Sequence, residues 1–109
     1  MKLLDTNIVV YAVGRPHPYK RACVQLLQDV ANGTGDFNID VELLQEIVYL
    51  YTARGERGLG LSTCSDLLLM FPNPFPITRE GILLAHELLT KHPKLLPRDA
   101  IHAAVTLGN

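Results

Sequence analysis

Lys2-Leu3-Leu4-Asp5-Thr6-Asn7-Ile8-Val9-Val10-Tyr11 begins with a short apolar run and breaks it with three polar residues. A buried strand ending in groups that can cap a following helix has this pattern, which predicts strand one over residues 2–5. Residues 7–13 are short and rich in β-branched side chains, so periodicity alone leaves helix and strand open there. Pro16 and Pro18 mark a turn. Between Tyr19 and Asn32 the apolar Cys23, Leu26, Leu27 and Val30 recur at helical spacing, and Gly33 supplies the stop of an amphipathic helix. Asp36-Phe37-Asn38-Ile39-Asp40-Val41 alternates polar with apolar, as a half-buried second strand does. It runs straight into a helix bearing Leu43, Leu44, Ile47, Leu50 and Tyr51 that ends near Arg54.

Gly55, Gly58 and Gly60 crowd the next residues, and a fresh apolar face follows with Leu61, Cys64, Leu68 and Phe71 before Pro72 ends it. Pro74-Phe75-Pro76-Ile77 is proline-limited and at best a brief third strand. A helix over 79–92 follows Thr78, although Gly81 leaves the capping box incomplete. Asp99 opens a last helix with Ile101, Ala104 and Val105 on its apolar side and Gly108-Asn109 at its end. Strands alternating with helices predict an α/β fold, a parallel sheet flanked by helices and joined by right-handed crossovers. A further strand is expected after Gly108, so the sheet reads as lacking its C-terminal strand or strands.

Of 109 residues, 48% are hydrophobic and 19% charged, the balance of a single compact domain with a real core. Ten Lys and Arg against eleven Asp and Glu give a formal charge of −1, so nucleic-acid contact has to come from a local patch. No apolar run reaches the roughly 18 residues of a membrane span, and Asp5 interrupts what would be a secretory signal. The expectation is a soluble, cytoplasmic protein with no membrane partner. Cys23 and Cys64 have no C-x-x-C spacing and fall in helical apolar patterns, so they read as small buried hydrophobes.

In open α/β sheets, ligands collect at the carboxyl ends of the strands. Three carboxylates are predicted there: Asp5 at the end of strand one, Glu46 near the start of the helix after strand two, and Asp99 at the start of the last helix. Carboxylates gathered without Lys or Arg repel one another, and a hard cation or a raised pKa is the usual remedy. Each also has a plain structural explanation. Asp5 can cap a helix, Asp99 is favoured by the helix dipole, and a lone Glu on a helix is usually solvated. Glu42 lies four residues before Glu46 on the same face and is the alternative ligand.

The words around these acids carry more. Leu3-Leu4-Asp5-Thr6-Asn7-Ile8-Val9-Val10-Tyr11, Leu44-Gln45-Glu46-Ile47-Val48-Tyr49 and Leu96-Pro97-Arg98-Asp99-Ala100-Ile101-His102-Ala103-Ala104 closely resemble, in order and spacing, the three motifs of the PIN-domain ribonucleases. The nearest kin by these motifs are the VapC-type toxins of toxin–antitoxin pairs. The resemblance implies a PIN-like (Rossmann-like) domain over 1–109 in which Asp5, Glu46 and Asp99 coordinate Mg²⁺ or Mn²⁺, with Thr6 and Asn7 in the polar lining. It implies metal-dependent endonucleolytic cleavage of single-stranded RNA, and restraint by a cognate antitoxin that reaches basic side chains into the acidic pocket. Members of the family carry a further acid in a strand after the last helix, in a word such as T-x-D-x-D-F. Its absence leaves a weak or inactive PIN-fold binding module as the alternative. It also predicts an exposed edge on the first strand, and hence a homodimer or higher oligomer.

Other signals are weaker. His86 and His92 are six apart, whereas zinc proteases need H-E-x-x-H, four apart on one helical face. Asn7 occupies the place where aspartate-nucleophile phosphatases need a second acid, and the glycines of residues 55–60 do not follow a strand, as dinucleotide binding requires. His102 reads as a satisfied structural histidine near the site edge. RNA contact is assigned to Arg15, Lys20, Arg21, Arg54 and Arg57, each of which also reads as solvated charge. Tyr11, Tyr49 and Tyr51 fit core or interface positions better than a stacking platform.

Overall fold

The computed structural model describes residues 2–109. Two strands pair in parallel: β1 (Lys2–Leu3) and β2 (Phe37–Asn38), with Lys2 opposite Phe37 and Leu3 opposite Asn38. A parallel pair needs a long crossover, here supplied by α1 (Thr6–Val13) and α2 (Lys20–Ala31). The second strand is the centre of the sheet. Asp36 and Asn38 turn their carbonyls to the Lys2 and Leu4 amides, while the Ile39 carbonyl accepts from Phe75 on the other side at 2.9 Å. Phe75 also accepts from the Val41 amide at 3.0 Å. Between β2 and Phe75 the chain passes through α3 (Val41–Ala53) and α4 (Arg57–Met70); α5 (Arg79–Lys91) and α6 (Pro97–Gly108) follow. Among the described residues the result is a small parallel sheet flanked by six helices. Among the described residues no helix is long and apolar enough to cross a membrane.

Several boundaries differ from the sequence reading for identifiable reasons. Strand one stops at Leu3 because Asp5 already serves the next helix, its side chain accepting from the Asn7 amide at 2.8 Å. That cap settles the ambiguous stretch as helix, overriding the strand preference of Ile8, Val9 and Val10. The alternation across 36–41 breaks at Asp40, which is buried because it caps α3 through a bond from the Leu43 amide at 2.9 Å. The third strand shrinks to a single bridge at Phe75, flanked by prolines that cannot donate to a ladder. The stop at Gly33 holds, with φ at +84°. Thr78 caps α5 by accepting from the Gly81 amide at 3.0 Å, half of a capping box. The last helix begins two residues before Asp99, with Pro97 in its first turn.

Gly58 and Gly60 lie inside α4 rather than ahead of it. Gly60 is where α4 meets α3: a Cβ there would sit 3.0 Å from the Tyr51 Cβ and 3.4 Å from the Ile47 carbonyl oxygen. The facing stripe of α3 is Leu43, Ile47 and Tyr51, four apart and fully buried. With Leu4, Val9, Ile39, Leu67 and Phe71 they form the main core. A second, smaller cluster joins Ala85 of α5 to Ala100 and Ala104 of α6, small residues that let the two helices approach closely. Both cysteines are free. Cys23 is buried and Cys64 half-buried, its Sγ within 3.3 Å of the Leu44 carbonyl oxygen.

Tyr51 has no accessible surface, and its hydroxyl is the one buried side-chain polar atom without a partner among the described residues. An unpaired buried hydroxyl costs stability, whereas the ring fills core volume. Tyr51→Phe is therefore expected to leave chemical-denaturation stability unchanged or raise it by up to about 1 kcal/mol, and Tyr51→Ala to lower it by about 3–5 kcal/mol. A loss above about 1 kcal/mol in Tyr51→Phe would contradict this.

Candidate functional site

The polar break after β1, the second turn of α3 and the first turns of α6 meet around one cavity of about 650 Å³. Asp5, Thr6 and Asn7 come from the first, Glu46 from the second, and Asp99 and His102 from the third. All three acids picked out by the sequence, with both residues of the polar lining, therefore face the same space. Glu42 is not among the lining residues. Burial, with the charge of nearby Glu46, raises the Glu42 carboxyl above its ordinary value.

One hydrogen-bonded chain ties these elements together. Asp40 spends one carboxylate oxygen on the Leu43 amide and the other on His102 Nδ1 at 2.5 Å. His102 Nε2 lies 3.1 Å from Glu46 Oε1, and Thr6 Oγ1 donates to Glu46 Oε2 at 2.5 Å. Held between two carboxylates, His102 is pushed up to about 9; the Asp40 bond is the largest cause, burial opposes it, and the charges of Asp40 and Glu46 add to it. The imidazole is thus protonated at neutral pH, donating from both nitrogens. His102 is the satisfied histidine expected from the sequence. Its partner Asp40 went unrecognised, because the strand-like alternation assigned it to solvent.

The expectation of acids without cations is corrected. Arg54 and Arg98 line the cavity, and His102 adds a third positive charge. Arg98 stands next to Asp99 in sequence, and that adjacency is the signal that brings it to the cavity. Of the other predicted RNA contacts, Lys20 and Arg21 line a separate shallow depression, while Arg15 and Arg57 line neither. Lys20 Nζ donates to the Gly14 carbonyl at 2.6 Å, and Arg57 Nε lies 3.4 Å from Thr52 Oγ1. Of the tyrosines expected in core or interface positions, Tyr51 is core, whereas Tyr49 is 69% exposed and lines the cavity together with Tyr11.

Oxygen-only donors suit a hard divalent cation. Among the described residues no three His, Cys, Asp or Glu side chains are gathered closely enough to hold an ion together. Mg²⁺ does not require such a cage, since it keeps several waters and binds through one or two carboxylates plus substrate phosphate. Asp5 and Asp99 are exposed. Asp5 commits one oxygen to its cap, and Asp99 makes no hydrogen bond or ion pair among the described residues. The donor set therefore fits a hydrated hard cation.

The raised His102 value fixes a pH dependence. A group whose folded pKa exceeds its unfolded one contributes stability that is fully present below the ordinary value of 6.5 and fades as the pH rises through about 9. In chelator, the melting temperature should fall as the pH is raised from about 6.5 to about 9, and His102→Gln should flatten that slope. An unchanged slope in the variant would contradict the assignment.

A family model described as "PIN domain" matches residues 2–108. VapC ribonuclease Mb1869c of Mycobacterium bovis and Ribonuclease VapC13 of Mycobacterium tuberculosis are each 33% identical over 105 residues, covering 96% of this chain and 80% of the relative. Ribonuclease VapC23 of Mycobacterium tuberculosis is 29% identical over 104 residues, covering 95% and 82%. No solved structure matches. With the family model matching nearly the whole chain and the three motif acids facing one cavity, the chain belongs to the PIN domain family.

Proposed function

We propose that this protein is a VapC-type ribonuclease, a divalent-metal-dependent endonuclease for single-stranded RNA that serves as the toxin of a toxin–antitoxin pair. The observation that carries the reading is the meeting of Asp5, Glu46 and Asp99, 94 residues apart in sequence at the extremes, on one cavity. The likeness to proteins named VapC ribonucleases supports it. Its partners are RNA, an antitoxin and, in an oligomer, a second copy of the chain; it works where RNA is, in the cytoplasm.

Asp5, Glu46 and Asp99 would hold Mg²⁺ or Mn²⁺, Glu46 at the expense of a bond to Thr6 or His102. When bound, the ion supplies a water of lowered pKa and neutralises charge on the phosphate in the transition state. Hydrolysis forms one P–O bond from water and breaks one bridging P–O bond, the departing oxygen taking a proton. The remaining work falls to side chains. Thr6 and His102 hold the Glu46 carboxylate between them, so that its position is set before substrate arrives. His102 carries its protons on the nitrogens facing Asp40 and Glu46 and is a positioning residue. Asn7 completes the polar lining. Arg54 and Arg98 offer guanidinium groups to the RNA backbone, whose phosphates need neutralising beside an acidic site. An antitoxin would present basic groups to the same carboxylates.

Two observations favour a second reading, a PIN-fold module that binds without cutting: among the described residues the acids are not gathered closely enough to hold an ion together, and Glu46 is engaged through both oxygens. Cleavage of single-stranded RNA with Mg²⁺ or Mn²⁺ separates the two. The nuclease reading predicts cleavage that chelator abolishes and that Asp5→Asn or Asp99→Asn lowers roughly 100-fold or more. RNA binding without metal-stimulated cleavage would favour the binding module instead.

A further inference from the structure

The cavity has an aromatic margin that the acidic constellation does not use. Tyr11 of α1 lines the cavity, and its ring stacks on His17 with centroids 4.3 Å apart and planes 16° apart. Tyr19 leans on both, at 5.9 Å from Tyr11 and 5.2 Å from His17. His17 in turn lines the shallow depression that contains Lys20 and Arg21. The stack thus stands between the acidic cavity and a basic hollow. Tyr49 of α3 borders the cavity as well, so three of the four tyrosines gather on this side of the molecule.

Burial does not account for them. Tyr19 is 62% exposed and Tyr49 69% exposed, a large aromatic area left in water. The loop that carries His17 and Tyr19 is nevertheless held firmly. Pro16 and Pro18 restrict its backbone, the Tyr19 amide donates to His17 Nδ1 at 3.1 Å, and Lys20 Nζ ties back to the Gly14 carbonyl. Exposed rings fixed in advance, next to the uncommitted Arg21 guanidinium, have the chemistry of a base-stacking platform. Stacking suits a flexible single strand, whose unpaired bases have free π-faces, and neighbouring Arg or Lys takes the phosphates.

We infer that Tyr11, His17 and Tyr19, with Tyr49, form a subsite that stacks nucleobases of single-stranded RNA and leads the strand from the Arg21 hollow into the acidic cavity. The inference rests on the ribonuclease reading for the identity of the strand and deepens it by assigning residues for base contact. The Arg21 side chain makes no hydrogen bond or ion pair among the described residues and, of the two cations in the hollow, is the one free to meet phosphate.

Intrinsic tyrosine fluorescence reads this directly, because the chain has no tryptophan. The probes are a mixed-sequence RNA of about ten nucleotides and an abasic strand of the same length. Binding is measured with the Asp99→Asn chain in chelator, alone and combined with Tyr19→Leu or Tyr49→Leu. The base-bearing strand is expected to quench tyrosine emission and to bind roughly fivefold or more tightly than the abasic strand, and Tyr19→Leu to remove most of that difference. With the wild-type active site, each Leu variant is expected to raise KM by a similar factor, with a smaller change in kcat. Melting temperatures should stay within a few degrees of the parent, about as for other exposed substitutions.

Equal binding of the two strands, or Leu variants that bind RNA like the parent, would overturn the platform while metal-dependent cleavage leaves the nuclease standing. A collapse in melting temperature on Tyr19→Leu would make the stack structural and overturn it too. Base-dependent quenching without any cleavage would support the platform and sink the nuclease. Neither binding nor cleavage would end both.

Discussion

The His102 imidazolium, clasped between Asp40 and Glu46, is the interaction on which the site depends. Asp40 is 1% exposed, and a carboxylate taken out of water is tolerated only when it is paired and hydrogen-bonded. His102 meets that need from the far end of the chain, 62 residues away. The bond does more than neutralise Asp40. Helix α6 packs mainly on α5 and shares with it a small cluster separate from the main core, so its position relative to α3 needs a further tie. His102 supplies it. Asp99 lies three residues earlier on α6, on the same side of the helix, so anchoring His102 also brings Asp99 to the cavity.

The acids of the site are also part of the scaffold. Asp5 caps α1 and Asp40 caps α3, while Asp99 sits in the first turn of α6, where the helix dipole favours a negative charge. Two explanations that competed for these residues, helix capping and function, are therefore compatible. A parallel sheet makes this economical: its crossovers bring helix starts to the carboxyl ends of the strands, where ligands collect. Electrostatics then divides the cavity. Glu46 is satisfied internally through Thr6 and His102, whereas Asp5 and Asp99 keep oxygens for solvent or an ion, and Arg54 and Arg98 border the same space.

The three acids were legible because strand ends and helix starts place them at one sheet edge and because the words around them resemble the PIN motifs; pattern alone left each with a plain structural explanation. Helices α2 and α3 were legible from the helical spacing of their apolar residues and from the glycines that follow them. Asp40 was not, because alternation cannot distinguish a polar residue facing water from one turned inward to cap a helix and grip a distant histidine. The partnership is nonlocal, and only the fold reveals it. Gly60 misled for a similar reason: glycine reads as a loop signal, while here it opens a helix surface to Tyr51. The aromatic margin was hidden as well, since whether Tyr11 and Tyr49 are core or surface depends on how α1 and α3 rotate against the sheet, and Tyr19 stands in the loop ahead of α2.

The Asp40–His102 pair couples α6 to the start of α3. A double-mutant cycle on Asp40→Asn and His102→Gln, read by equilibrium unfolding at neutral pH in chelator, measures that coupling. Strong non-additivity is expected, with a coupling of at least about 1 kcal/mol, because His102→Gln leaves the buried Asp40 carboxylate without its cation, a penalty that Asp40→Asn removes. Additive effects within about 0.5 kcal/mol would contradict it, leaving the placement of Asp99 to helix packing alone.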